Sequence, residues 1–121
     1  MTLNNITIDN ISTNYKSIFE INYRNIELYN VDISNINLYD DVNNALLFSI
    51  NAGNNDINMI FENVNLLNVT SNGNIISIKG YKMNIQFNNV NVNNTISNGA
   101  FMYSVADNVI IKKKIYLYLY I

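Results

Sequence analysis

Asn30-Val31-Asp32-Ile33-Ser34-Asn35-Ile36 sets alternating apolar and polar residues between two asparagines, and the same phrase returns three more times. It reads Asn5-Ile6-Thr7-Ile8-Asp9-Asn10-Ile11, Asn63-Val64-Asn65-Leu66-Leu67-Asn68-Val69 and, with Thr95 in the last apolar place, Asn89-Val90-Asn91-Val92-Asn93-Asn94-Thr95. The leading asparagines lie 25, 33 and 26 residues apart, the length of one coil of a solenoid. Period-two alternation puts Ile6/Ile8, Val31/Ile33, Val64/Leu66 and Val90/Val92 on one face of a strand, directed at a shared core.

Working outward, a second alternating run precedes each later phrase. Asn25-Ile26-Glu27-Leu28-Tyr29, Asn58-Met59-Ile60-Phe61-Glu62 and Asn84-Ile85-Gln86-Phe87-Asn88 are matched by Asn108-Val109-Ile110-Ile111-Lys112, with Ile26/Leu28, Met59/Phe61, Ile85/Phe87 and Val109/Ile111 inward. A third run follows the phrase, where Ala45-Leu46-Leu47-Phe48-Ser49-Ile50 aligns position by position with Ala100-Phe101-Met102-Tyr103-Ser104-Val105. Three short strands per coil predict an all-β parallel β-helix of about four coils, with coils starting near 5, 30, 63 and 89 and the repeat filling residues 1–111. Helix is disfavoured by the apolar period and by a composition of β-branched residues and asparagine. The chain has no proline, which suits interior strands that donate hydrogen bonds on both sides.

Asparagine accounts for 28 of the 121 residues. An A/T-rich coding bias would raise lysine as well, yet before residue 112 the lysines are Lys16, Lys79 and Lys82 alone. Asparagine has therefore been placed. Of the non-glycine residues it best tolerates the left-handed backbone of a sharp bend. Asn10, Asn35, Asn68 and Asn94 are expected at corners, stacked about 4.8 Å apart as a ladder of amides. Asn72-Gly73 and Asn98-Gly99 mark a further turn, with Asn43-Asn44 in that place in the long coil.

The composition limits the chemistry. Cysteine and histidine are both absent, which removes disulfides, imidazole bases and thiol nucleophiles, and neither a metal site nor a cofactor is expected. A net charge of −2 offers no footprint for nucleic acid, and no run of apolar residues is long enough for a membrane helix. Carboxylates do not line up between coils: Asp9 aligns with Ser34, Glu62 with Tyr29 and Asn88, and Asp32 with Thr7, Asn65 and Asn91. Glycosidic hydrolysis needs a facing pair. Asp40, Asp41 and Asp56 are the acids that the long coil could gather, and Arg24 is the only arginine.

The coil between Asn30 and Asn63 exceeds its successor by seven residues, which fall within 37–44. Insertions in solenoids form outward loops that often bind, so Tyr39, Asp40 and Asp41 are the candidate ligand contacts. Tyr23, Tyr29 and Tyr81 are further outward rings with an apolar face and a polar tip, suited to sugars. The sequons at Asn5, Asn10, Asn68 and Asn93 are candidate N-glycosylation sites in a secreted protein.

These runs resemble the parallel β-helix repeats of the pectin-lyase-like superfamily. Ser97-Asn98-Gly99-Ala100-Phe101 followed by Asn108-Val109-Ile110-Ile111 is similar to the Gly-Gly-Ala-aliphatic repeats of adhesin-type and polymorphic outer-membrane β-helices, with Asn98 where the first glycine would stand. Asn25, Asn30 and Asn35, five apart, also resemble a pentapeptide repeat over three units. The phrase of the leucine-rich repeat is absent. The resemblance implies a right-handed coil and a polysaccharide-facing role, as a noncatalytic scaffold or adhesin at the cell surface, part of a larger extracellular protein. The alternatives are a fragment of a polysaccharide lyase or hydrolase and an Asn-rich self-associating chain.

After Val109-Ile110-Ile111 the next asparagine is due at 113, where Lys113 stands within Lys112-Lys113-Lys114. The tail 112–121 is read either as a non-repeat extension from a gene-boundary error or as a last strand with Ile115, Leu117, Leu119 and Ile121 inward. Met1–Asn4 leave little room for a cap, so end-to-end association through uncapped coils is expected.

Overall fold

The computed structural model describes residues 1–14 and 16–120, the last eight of them through their backbone alone. The described chain is a parallel β-solenoid of about four turns. Five long strands, β1 (Thr2–Thr13), β3 (Asn25–Leu38), β5 (Ile57–Ser71), β7 (Lys82–Ser97) and β9 (Asn108–Tyr120), pair in that order in one parallel sheet. Four short ones, β2 (Phe19–Ile21), β4 (Phe48–Asn51), β6 (Ile76–Lys79) and β8 (Met102–Val105), form a second sheet in the order β2-β4-β6-β8.

The two strands expected on either side of the leading asparagine are one continuous strand bent twice. Asn30 (φ 52°) and Asn35 (φ 53°) bend β3, and the equivalent pairs Asn5/Asn10, Asn63/Asn68 and Asn89/Asn94 hold the same left-handed backbone. Burial shows what the bend does. In β3 the inward residues are Ile26, Leu28, Val31, Ile33, Ile36 and Leu38, so alternation by two becomes a step of three across each asparagine. A straight strand would turn residue 30 inward and residue 31 outward. The positive φ puts the asparagine on the outside of the corner and lets Val31 resume the core face. The coil therefore has two asparagine corners, five residues apart, where the spacing had predicted one.

Register is set by these columns: Ile6–Val31–Val64–Val90 and Ile8–Ile33–Leu66–Val92 stack rung on rung. The expected outward alignments also hold, with Asp9 beside Ser34, Tyr29 beside Glu62 and Asp32 beside Asn65. Phenylalanine joins the two sheets inside the coil. Phe19 stacks on Phe48 (centroids 4.7 Å), Phe48 meets Phe61 edge-on (6.4 Å), and Phe61 stacks on Phe87 (5.1 Å). Such pairs add roughly 0.5–1.5 kcal/mol to the area they bury.

Two expected registers are corrected. Phe48 pairs through Ile76 with Met102 rather than Tyr103, so the run 45–50 meets its counterpart one residue earlier than expected. A one-residue slip exchanges faces, and Tyr103 and Val105 accordingly stand exposed. In the last coil Asn108 pairs with Lys82 and Ile111 with Ile85, two residues from the expected match. The position facing Asn89 is therefore not 113: Lys113 faces Phe87, and the register then shifts, with Asn88 facing Lys114 and Val90 facing Leu117. The backbone of the tail continues in β9 to Tyr120. The inward placement expected for Ile115, Leu117, Leu119 and Ile121 lies outside the described side chains.

Candidate functional site

The corner asparagines bond along the stacking axis. Asn68 Nδ2 donates to Asn35 Oδ1 (3.0 Å) and Asn94 Nδ2 to Asn68 Oδ1 (2.7 Å). A second ladder joins Asn63 to Asn30 (3.0 Å) and Asn89 to Asn63 (2.8 Å), and a third joins Asn58 to Asn25 (3.2 Å) and Asn84 to Asn58 (3.1 Å). Every amide donates toward the earlier coil. The ladder through Asn35 ends on Asp9 rather than on Asn10, whose own amide turns to Asp9 Oδ2 (3.0 Å). Asp9 Oδ1 accepts from Ser34 Oγ and Asn35 Nδ2, both at 2.7 Å. An ionised carboxylate is the stronger acceptor, and the Ser34 and Asn35 hydrogen bonds hold the Asp9 carboxyl below its ordinary range.

Three of the four sequons fall on these same corners. Asn5, Asn10 and Asn68 have left-handed backbone, and Asn68 is bonded on both sides within its ladder. Asn93 is exposed on β7, with Thr95 of its sequon buried.

The long loop is built around Asp41. Its Oδ1 accepts the backbone N–H groups of Asn43 (2.9 Å) and Asn44 (3.1 Å), and its Oδ2 accepts Asn44 Nδ2 (3.0 Å). Its backbone carbonyl accepts the Ala45 N–H (2.9 Å). Asp40 Oδ1 receives the Asp41 N–H (2.8 Å), and the Asp40 carbonyl accepts Asn72 Nδ2 (3.3 Å). Both acids thus shape the turn, since short polar side chains bond nearby backbone in this way. Tyr39, beside them, is 49% exposed.

Below the loop, Gly73 lies so close that an added Cβ would sit 2.5 Å from the Val42 carbonyl oxygen and 2.7 Å from that of Ala45. Ser71 is buried, donates to the Ala45 carbonyl and accepts the Gly73 N–H. Ser97 repeats this one coil later, on the Gly73 carbonyl and the Gly99 N–H. The recurrence of Ser-Asn-Gly at 71–73 and 97–99 was the available signal for these serines. Sequence reasoning read only the Asn-Gly turns.

The loop also closes one side of an open cleft of about 240 Å³ lined by Lys16, Ser17, Glu20, Asn43, Asn44, Leu46 and Ser49. None of these was singled out as a ligand contact from sequence, because they come from three separate stretches. A smaller depression of about 160 Å³ lies on the outer face of β5, β7 and β9, over Ile60, Gln86, Ile110 and Lys112. The tyrosines do not converge: Tyr23 and Tyr81 precede long strands, Tyr29 lies within β3, and Tyr39 follows it. Burial, with the Glu27 and Glu62 carboxylates, raises the Tyr29 pKa. Among the described residues no three acids gather into a group able to hold a metal ion, and no helix is long and apolar enough to cross a membrane.

Comparison with protein-family profiles, with curated proteins and with solved structures finds no match.

Proposed function

We propose that this solenoid is a noncatalytic scaffold of a surface or secreted protein, a rigid column that presents polar columns and its long loop to polysaccharide or other cell-surface components. The observation that carries this reading is the investment of the recurring residue in the axis itself. Across β3, β5 and β7, asparagines at three positions of the coil bond to their counterparts in the neighbouring coil. The repeat thereby stiffens the stack, and the coil-to-coil differences are left to the outer surface, where function is grafted onto a scaffold. Two of the carboxylates are occupied in structure, Asp9 by three side-chain donors and Asp41 by the turn. A right-handed coil of the pectin-lyase-like or adhesin type belongs to the same proposal, as does an extracellular location.

Co-sedimentation of the folded chain with insoluble cellulose, chitin, xylan and pectin tests it. Retention on at least one, without release of sugar products, is the expected result. Release of unsaturated sugar products from any of them, with or without calcium, would overturn the noncatalytic reading in favour of a lyase. Passage through all four would remove polysaccharide as the partner.

A further inference from the structure

We infer that the cleft between the long loop and the first coil's turn is a saccharide subsite that takes one ring of a neutral glycan. This rests on the carbohydrate-contacting reading above and gives that reading an address. Three features of the cleft point to a neutral polyol.

The first is its chemistry. Lys16 brings one positive charge and Glu20 one negative, so the rim carries no net charge to select an ion. The remaining polar groups are the Ser17 and Ser49 hydroxyls and the Asn43 and Asn44 amides, which supply donors and acceptors in mixture. Sugar hydroxyls, each both donor and acceptor, match such a mixture better than a phosphate or an ammonium does. Leu46, 7% exposed, gives the floor a small apolar area for the C–H face of a ring.

The second is preorganisation. Asn43 and Asn44 stand on the long loop, which holds five of the seven extra residues, the other two lying between β4 and β5 rather than within 37–44 as expected. Asp41 fixes the long loop by three side-chain hydrogen bonds. The loop is held from below as well, by Asn72 on the Asp40 carbonyl and by Ser71 on the Ala45 carbonyl. On the other wall, Glu20 faces Ser49 across adjacent rungs of β2 and β4, and the Ile18 N–H donates to the Leu46 carbonyl. Groups already held in place spend little entropy on binding.

The third is size and direction. At about 240 Å³, the cleft falls below the ~300–1,000 Å³ of enclosing small-molecule pockets, so it accommodates one ring of a longer chain. Glu20, Ser49, Ser77 and Tyr103 follow one another up the outward face of the short sheet. A chain leaving the cleft along this column meets hydroxyls and then an exposed aromatic ring.

The test is titration of the full chain, 15N-labelled, with cello-, xylo-, manno- and chito-tetraose, alongside tetragalacturonate as an acidic probe. With at least one neutral tetramer, the backbone amides of Ser17, Glu20, Asn43, Asn44 and Ser49 are expected to shift. Glu20→Gln combined with Ser49→Ala should weaken that binding at least tenfold, while Asn37→Ala on the long sheet leaves it within twofold. Both sets are exposed or half-buried, and wild-type shift mapping needs no variant to fold. If a tetramer binds but the perturbed amides lie elsewhere, or the double variant binds within twofold of wild type, the cleft is wrong and the carbohydrate reading stands. Binding of tetragalacturonate alone overturns the neutral class. Absence of binding by all five tetramers overturns the subsite and the carbohydrate reading together.

Discussion

The asparagine-cornered side of the coil and the loop side reach the same stacked geometry by different means. On the cornered side β1, β3, β5 and β7 repeat one solution: two left-handed asparagines with inward aliphatics between them, the amides bonded along the axis from β3 onward. On the loop side the solution changes after the long coil. One turn is held by Asp41, the next by Ser71 and Gly73, and the next by Ser97 and Gly99. Many weak, identical contacts define the first side and a few close ones, shared by two coils at most, the second. Substitutions on the two sides should therefore fail in different ways.

The largest effect is expected where the two sides are joined. Phe48 is 1% exposed, stacked on Phe19 from the short sheet and edge-on to Phe61 from the long one. Phe48→Ala leaves a cavity between the sheets and should cost about 3–5 kcal/mol. That is a large share of the roughly 5–15 kcal/mol available to a domain. Urea denaturation followed by far-ultraviolet circular dichroism measures it. A loss near 1 kcal/mol would mean that the sheets do not depend on the phenylalanine column.

Next comes the crowded loop side. Gly73→Ala drives a Cβ onto two backbone carbonyls, neither of which can swing away as a side chain would. Overpacking of this kind costs about 1–3 kcal/mol. Gly53→Ala serves as the contrast: its φ of 61° is unfavourable to alanine, but nothing lies within 4 Å. It should lose only about 1 kcal/mol, from backbone strain alone. Equal losses at the two positions would show that close approach beneath the long loop is not what holds it.

On the cornered side, Asn68 separates bend from ladder. Asn68→Ala loses both the tolerance of φ 54° and the two amide bonds, about 2 kcal/mol together. Asn68→Gly keeps the bend and loses the bonds, about 1 kcal/mol. If glycine is as damaging as alanine, the ladder rather than the corner is the reason for asparagine there.

The same contrast explains how much the sequence disclosed. The solenoid was legible because period-two alternation and a recurring asparagine are local signals repeated four times, so an error in one coil is corrected by the others. The second corner column was missed because a residue at the start of a strand and a residue at a bend look alike until burial shows Leu28 and Val31 both inward. The loop side was read poorly. Phe48 and Met102 share a column only through Ile76, and the run 45–50 beside 100–105 is equally regular one residue out. The candidate contacts Asp40 and Asp41 were visible as an acidic pair in an insertion. That their oxygens serve the turn, and that the nearby cleft draws on Lys16, Glu20 and Ser49, depends on chain segments that only the stacking brings together.

The smallest effect, and the finest probe of the cornered side, is the acid limb of stability. Asp9 ends an amide ladder whose members all donate toward it, and the Ser34 and Asn35 hydrogen bonds lower its pKa from the ordinary 3.8. A carboxyl depressed in the folded state is ionised there while its unfolded counterpart already binds a proton, so the unfolded chain takes up more protons as pH falls. Its contribution is complete above the ordinary carboxylate value and disappears as pH drops through the lowered one. In Asp9→Asn the acceptor at the foot of the ladder is neutral and does not titrate. The urea midpoint of this variant should therefore fall less steeply than that of wild type below about pH 4, with the two curves parallel above pH 5. If the Asp9→Asn curve instead keeps the wild-type slope below pH 4, the charged foot contributes nothing, and the ladder is held by its amides alone.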